Sequence, residues 1–554
     1  MRIQIPAPPP PILSPVEQPP TPPAADTAPR FERPSLAAAA TIVAAGFLGS
    51  RLLGLLRIGA ISDAFGTSPE LDAYWVAFRL PDLIFQLLAG ATLGSAFIPT
   101  FARLFAKESE EAAWRLASSV LNIVLLATIV FAVLGFLLAP VLVPVMAPGL
   151  GEDTGRQDEL RALAVDLTRV MMLSPILFAV SGMFMGILNA RHHFLMPAVA
   201  PMLYNLAIII GAYFFHDVNA LAWAVAIGAG LHLIVQVPAL VSVGMRYWPV
   251  AQWRDAAVRQ VGGLMAPRVL GLAAFQFNFL ITTFFASMVS DGAISAVNYA
   301  WLIMMTPLGL FGMAISTAVF PTLAEQAVED RGELRRTLEQ SLRLILFLTI
   351  PSAVALMLLS EPLVALILER GDFTAASTEV TAGVLLFYAI GLVAHAAIEI
   401  LSRGFYALSD TRTPVAFAVV ALVVNLALSA ALVGPMEVRG LALAASVATI
   451  ANATLLFWTL RTRLEGLDLR GLGRSLGRTA VATLLMAEVV GFYLIFLHEA
   501  ERFDSSRLLD SFLAVAGSAL LGGAVFLAAA LALRSEEAET LWRRLPRPRR
   551  GTFA

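Results

Sequence analysis

The stretch "GSRLLGLLRIGAISDAFG", Gly49 to Gly66, decides how this chain is read. It follows "LAAAATIVAAGFL", Leu36 to Leu48, a run with no charge. Arg51 and Arg57 then stand inside sequence otherwise apolar enough for a bilayer, and Asp72 and Arg79 come soon after. An arginine at the centre of a membrane helix costs roughly 2.5–3.5 kcal/mol on insertion scales, so such residues face a partner or a water-filled cavity. If the first helix ends near Arg57, that side chain snorkels to the interface and means little. If it runs on to Phe65, Arg57 sits deep. Arg51 lies inside the span on either reading.

The surroundings fit a membrane chain. Of 554 residues, 58% are hydrophobic and 14% charged, where a soluble chain carries roughly 25% charge. Apolar runs of bilayer length recur from residue 36 to residue 534. They are continuous rather than alternating, which argues for helices and against a barrel. The length rule gives about fourteen spans, among them 37–58, 72–95, 414–434 and 440–460. The predicted fold is therefore an all-α polytopic membrane protein.

Composition also excludes. There are no cysteines, hence no disulfide framework, thiol nucleophile or thiolate metal site. The sole lysine, Lys107, precedes Glu108, and a Walker A loop needs Lys before Ser or Thr. The six histidines show no metal spacing. No metal, no cofactor and no nucleic-acid partner is expected, and no acidic cluster suggests an enzyme. Residues 1–35, with "PAPPPP" and "PPTPP", read as a disordered tail. Residues 535–554 end in the basic run "RRLPRPRR", suited to anionic lipid headgroups.

Basic residues gather in the even-numbered connections, for example Arg103, Lys107 and Arg115, then Arg246, Arg254, Arg259 and Arg268, then Arg331, Arg335 and Arg336. The positive-inside rule then puts both termini in the cytoplasm, which an even span count also requires.

An internal repeat organises the spans. "AFIPTFARL", Ala96–Leu104, resembles "AVFPTLAEQ", Ala318–Gln326, and Pro140 falls on Pro362 at the same spacing. The stretch ending at Asn205 loosely mirrors the one ending at Asn425. This predicts a duplicated six-helix unit: residues 36–250 and 251–465 as two lobes, with two extra helices in 466–534. Both repeats begin on the same side, as in transporters that rock two lobes around a central site.

Other polar residues lie within spans. Asp72 and Arg79 share a face of the second helix, and Arg79 can alternatively pair with Asp82. With Arg51 and Arg57, the first lobe keeps excess positive charge, which suits an anionic substrate such as a diphosphate. His395, Glu399 and Arg403 form an i,i+4 stripe that reads as a proton relay or, preferably, a self-satisfied ladder. Asn205, Asn278 and Asn425 read as interhelical hydrogen bonds. Ser50 and Gly54 would let a neighbouring helix approach closely.

"SRLLGLLR", "DAYWVAFRLPDLIFQLLAGATLGSAFIPTF", "ERGDFTAASTEVTAGVLLFYAIG" and "RGFYALSDTRTPVAFAVVALVVN" together resemble the murein lipid II flippase family, MurJ or MviN. That family belongs to the multidrug/oligosaccharidyl-lipid/polysaccharide exporter superfamily. The resemblance covers about residues 36–534; "RGxF" at Arg370–Phe373 and "FYALxDTRTP" at Phe405–Pro414 are its specific elements. It implies fourteen helices in two lobes, a polyprenyl-tail groove on the last two, and transfer of an undecaprenyl-diphosphate-linked muropeptide to the outer leaflet by alternating access in the bacterial inner membrane. It implies substrate-binding roles for Arg51, Arg57, Asp72 and Arg79, with Asp72 positioning or neutralising the arginines. The family usually places charges where this chain has Phe85, Ile58, Leu302 and Met305, and some members use a sodium-binding carboxylate where this chain has Thr282. Two alternatives stand beside the flippase: an exporter of another amphiphile and a non-transporting envelope scaffold. A monomer is the expected state.

Overall fold

The computed structural model describes residues 36–88, 91–107, 109–499 and 508–544. The proline-rich segment 1–35 and the basic run from residue 545 onward lie outside them. Every regular element among the described residues is helical. Among the described residues, ten helical stretches, three of them running through more than one of the elements named below, are long and apolar enough to cross a bilayer.

Residues 36–250 form α1 (Leu36–Phe65), α2 (Pro69–Leu88), α3 (Ala91–Lys107), α4 (Glu110–Met146), α5 (Gln157–Met171), α6 (Leu173–Ala190), α7 (Leu195–Phe215), α8 (Val218–Ile234) and α9 (Val237–Ser242). Residues 251–465 form α10 (Ala256–Ser287), α11 (Ala293–Pro307), a π-helical segment (Leu308–Met313), α12 (Ala314–Glu329), α13 (Arg331–Leu358), α14 (Ser360–Leu368), α15 (Ala375–Ala407) and α16 (Arg412–Arg463). Then come α17 (Leu469–Glu499), α18 (Leu508–Ala532) and α19 (Glu536–Arg544). Short polar residues start many of them. Ser109, Asp217, Asp255, Asp330 and Thr374 each accept a backbone N–H from the first turn that follows, satisfying donors the helix leaves orphaned.

α1 continues through Arg57 to Phe65, the longer of the two readings the sequence left open. Two expectations about local structure change. The expected span 72–95 is instead two helices, α2 and α3. The expected close approach at Gly54 does not occur, since nothing lies within 4 Å of where its Cβ would stand. The α1–α7 seam uses Gly46 against Ala198 and Gly49 against Met202, with Asn205 Nδ2 donating to the Ser50 carbonyl at 3.4 Å.

α16 is not one rod. Glu437 leaves helical geometry (φ 53°, ψ −137°), and a Cβ on Gly440 would stand 2.5 Å from the Leu432 carbonyl oxygen. Eight helical residues would separate those positions by about 12 Å. The chain therefore reverses between Leu432 and Gly440.

Helix boundaries recur at a spacing of about 220 residues: α10 begins at the position matching α1, α12 at that matching α3, and α13 at that matching α4. Asparagines 220 residues apart also tie the matching pairs of helices together, through different acceptors. Asn205 of α7 reaches α1, and Asn425 of α16 donates to Asn278 of α10.

At one end of the bundle the two halves share a continuous core that includes Leu71, Tyr299 and Phe373. At the other end Phe97, Phe101 and Trp114 form a separate core within the first half, which the start of α10 joins. α17 and α18 pack on the second half through Phe347, Met486, Val490 and Phe526. Large apolar side chains such as Leu126, Phe131 and Leu137 remain exposed on α4, as a lipid-facing surface requires.

Candidate functional site

Of the residues singled out in the sequence, Arg51, Asp72 and Arg79 reach across to the other half. Arg51 is exposed on α1. Its guanidinium lies against the π segment of the other half, with Nη2 2.9 Å from where a Cβ on Gly309 would stand. Any side chain at Gly309 would displace it. The π segment follows Pro307, which cannot donate the backbone N–H that a regular turn needs. Arg57, one and a half turns further, is half-buried and lies 6.0 Å over the Tyr204 ring of α7.

Arg79 spans the interface. Its Nε donates to Thr283 Oγ1 at 3.2 Å and its Nη2 to Asn298 Oδ1 at 2.6 Å. Its guanidinium sits 4.9 Å over the Phe279 ring. Arg79 and Asp82 do not come within ion-pair distance of each other, unlike one of the two arrangements their spacing allowed. Asp82 accepts from Gln276 at 3.2 Å, again from the second half.

Asp72 does not neutralise Arg51 or Arg57. It is 1% exposed and caps the N-terminus of α11 in the other half. Its carboxylate accepts from Gly292 N at 2.7 Å, Ser295 N at 2.7 Å and Ser295 Oγ at 2.5 Å. A carboxylate belongs at a helix N-terminus, where unpaired N–H groups and the helix dipole both favour negative charge.

Around Asp72 the shared end is sealed. Tyr299 OH donates to the Gly66 carbonyl at 3.1 Å. Asp372 N donates to the Asp63 carbonyl at 2.9 Å, and Thr67 and Ser377 hydroxyls meet at 2.8 Å. Asp291 accepts from Gly151 N at 3.1 Å and Thr154 N at 3.2 Å. The "RGDF" motif belongs to this seal. Gly371 has φ +53° and lies against Asp63; Phe373 is 2% exposed and packs on Tyr299 at 5.6 Å. "SDTRTP" lies elsewhere, at the α15–α16 turn. There Asp410 accepts from Arg412 N and Thr413 N, both at 3.1 Å.

The His395–Glu399–Arg403 stripe divides. Glu399 pairs with Arg403 at 3.5 Å, and Arg403 also donates to Thr317 at 2.9 Å. His395 instead meets Thr449 at 3.2 Å and packs against Trp301. Phe85 packs against Phe178 at 4.9 Å, and Leu302 and Met305 pack against the shared core. Among the described residues, no group of three or more His, Cys, Asp or Glu is placed to hold a metal ion.

Several participants had no signal of their own in the sequence. Thr283, Asn298 and Ser295 are neutral residues in apolar runs. Gly309 and Gly312 after Pro307 offered a cue, because two glycines three apart beyond a proline interrupt a helix.

The family profile described as "Lipid II flippase MurJ" matches residues 61–506. The chain is similar to the lipid II flippase MurJ of Burkholderia cenocepacia, with 35% identity over 435 residues, covering 76% of this chain and 84% of that protein. It is 34% identical over 466 residues to a probable lipid II flippase MurJ of Rhizobium meliloti, covering 79% and 83%. A solved structure of lipid II flippase MurJ in an inward closed conformation superposes with a TM-score of 0.73 at 24% identity, covering 91% of this chain and all (100%) of that one. An inward-facing transporter of the multidrug-resistance MATE family follows at 0.62 and 17%, covering 77% and 98%. The fold, the interface of the halves and these likenesses agree: the chain belongs to the MurJ lipid II flippase family.

Proposed function

We propose that this chain moves lipid II, an undecaprenyl-diphosphate-linked muropeptide, from the inner to the outer leaflet of the bacterial cytoplasmic membrane. Family membership supplies the substrate class. The observation that carries the mechanism is the position of Arg51, which reaches from α1 to the π segment of the opposite half. A guanidinium there meets whatever occupies the space between the halves, and its planar fork suits a diphosphate.

In this reading residues 36–250 and 251–465 are two lobes of six membrane spans each, and 466–534 adds two more, fourteen in all. α16 counts as two spans because it reverses. Both termini are cytoplasmic, and the sealed end faces outward. Arg51 and Arg57 hold the diphosphate as it enters from the inner side. Asp72 and Arg79 first serve the seal; when it opens, Arg79 loses Thr283 and Asn298 and its charge joins the path. The membrane potential, at about 2.3 kcal/mol per charge per 100 mV, helps return the emptied cationic chamber to the inner side. The Glu399–Arg403 pair is a structural ladder. No catalytic residue is assigned, because moving a lipid between leaflets makes and breaks no covalent bond.

The test is complementation of a strain depleted of its lipid II flippase. The wild-type chain restores growth. Arg51→Ala and Arg57→Ala fail at equal protein level, and Arg57→Lys, which keeps the charge and loses the fork, restores it partly. Full rescue by Arg57→Ala would refute the proposed site.

A further inference from the structure

One acidic side chain has no place in the mechanism above. α17 carries Arg470, Arg474 and Arg478 near its start and His498 and Glu499 at its end. Between them, Glu488 is the sole charged residue. It stands ten residues from both Arg478 and His498, roughly 15 Å along a helix. Half of a hydrocarbon core is also about 15 Å, so Glu488 sits at mid-depth, far beyond the reach of a glutamate to either interface.

It also faces outward. The inner face of α17 buries Ala482, Met486 and Val490 against Phe347 and Phe526. Glu488 lies on the opposite face, exposed, in line with Val481, Leu484, Phe492 and Ile495. Among the described residues, no hydrogen bond or ion pair reaches it. The same face is recessed: nothing stands within 4 Å of where a Cβ on Gly473, Gly477 or Gly491 would be, which lets another helix approach closely. A carboxyl at bilayer centre is costly unless a partner satisfies it.

A second copy of this chain, meeting it through this face, offers no basic side chain at this level. α18 crosses beside Glu488 near Gly522, which packs on Val490 and Met486. The residues flanking that level, Ala519, Leu520, Leu521, Gly523 and Ala524, are all apolar. We propose that the α17 face centred on Glu488 docks a transmembrane helix of a different membrane protein, one that carries a basic side chain at mid-bilayer depth.

The experiment uses the full chain in phosphatidylcholine vesicles and a synthetic leucine–alanine membrane helix of about 23 residues with one central lysine. Because the protein lacks cysteine, a dye placed on Leu520→Cys reports binding by energy transfer. The lysine peptide associates at least tenfold more tightly than the same peptide with central leucine. Glu488→Leu removes that preference, and Glu488→Gln reduces it. Equal binding of the two peptides, or a preference that survives Glu488→Leu, overturns the proposal. So does Glu488-dependent energy transfer between two copies of the protein. Undecaprenyl phosphate displacing both peptides alike, with or without Glu488, would assign the face to a lipid tail and overturn it too.

Discussion

The two halves of this molecule share helix boundaries at a constant spacing and differ in chemistry. At the repeat spacing of about 220 residues, the places of Arg57 and Arg79 are taken in the second half by Phe279 and Trp301, which pack edge to face at 5.1 Å. From residue 269 to residue 307, α10 and α11 contain no charged side chain apart from Asp291 in their connecting loop. The first half brings Asp72, Arg79 and Asp82 to the interface. The second half answers these three with neutral groups: the α11 N-terminus, Asn298, Thr283, Gln276 and the Phe279 ring; its own Asp291 meets backbone N–H groups of the first half, Gly151 and Thr154. A seam of matched ion pairs would strip water from two charges at each contact, and losing one partner would cost about 3–5 kcal/mol. A charge against a neutral partner contributes about 1.5–3 kcal/mol, and a cation over a ring about 0.5–2 kcal/mol. Such a seam holds and still opens, and opening frees the Arg79 guanidinium, held here by Thr283 and Asn298, to face an anionic headgroup.

The sharpest way to break that asymmetry is to remove the charge with the most neutral partners. Asp72→Ala leaves Gly292 N and both Ser295 donors without their acceptor. The sealed state should lose about 3 kcal/mol, on the order of a 100-fold shift toward opening. Ala296, 1% exposed on α11, is a suitable reporter in a protein that lacks cysteine. Labelling of Ala296→Cys by a water-soluble maleimide should quicken by that factor in Asp72→Ala, and less in Asp72→Asn. An unchanged labelling rate would show that the cap does not hold the seal.

Backbone fit gives a smaller effect. Gly371 has φ +53° and faces the Asp63 backbone; Gly292 has φ +86° and a Cβ there would stand 2.5 Å from the Thr67 carbonyl oxygen. Gly155, φ +67°, faces open space. An alanine at any of them pays for the left-handed conformation, about 1 kcal/mol. Only at Gly371 and Gly292 does it also push the halves apart. Gly371→Ala should speed labelling at Ala296→Cys about tenfold, the equivalent of a further 1.4 kcal/mol, and Gly155→Ala should leave it unchanged. Similar behaviour of the two variants would place the role of Gly371 within its own loop.

How far the sequence carried differs between these regions. The membrane class and helical architecture were readable because apolar runs of bilayer length are a composition signal. Of the small residues Ser50 and Gly54 on α1, Ser50 meets α7 and Gly54 meets nothing, since a glycine announces room for a neighbour but not which neighbour comes. The buried charges were visible as candidates, because Arg51, Arg57, Asp72 and Arg79 are conspicuous in apolar surroundings. Their partners were not, because a hydrogen bond to Asn298 or to the start of α11 crosses more than two hundred positions and involves residues that are ordinary in isolation. Asp72 shows the limit most plainly. Its spacing to Arg79 suggested a shared role on one helix face, whereas folding turned it toward a helix terminus that only the tertiary structure supplies.

The second half does carry charge, at its rim, where it grips the last helices. Arg343 of α13 pairs with Asp468 at 3.1 Å and Glu536 at 3.8 Å, and Asp468 accepts from Gly471 N at 2.9 Å at the start of α17. The Gly471 N–H bond, aided by the Arg343 charge and offset in part by desolvation, holds the Asp468 carboxyl below its ordinary range. A depressed folded-state pKa gives stability that is complete above the unfolded value, about 3.9, and lost as pH falls through the folded value. Asp468→Asn should therefore lower the thermal midpoint of the purified protein slightly at pH 7, and the two proteins should converge as pH drops below that range. The effect is the smallest of those predicted, because the group is solvent-exposed and water screens it. A difference that persists undiminished at pH 3 would mean that the packing of Asp468, and not its charge, secures α17 to the second half.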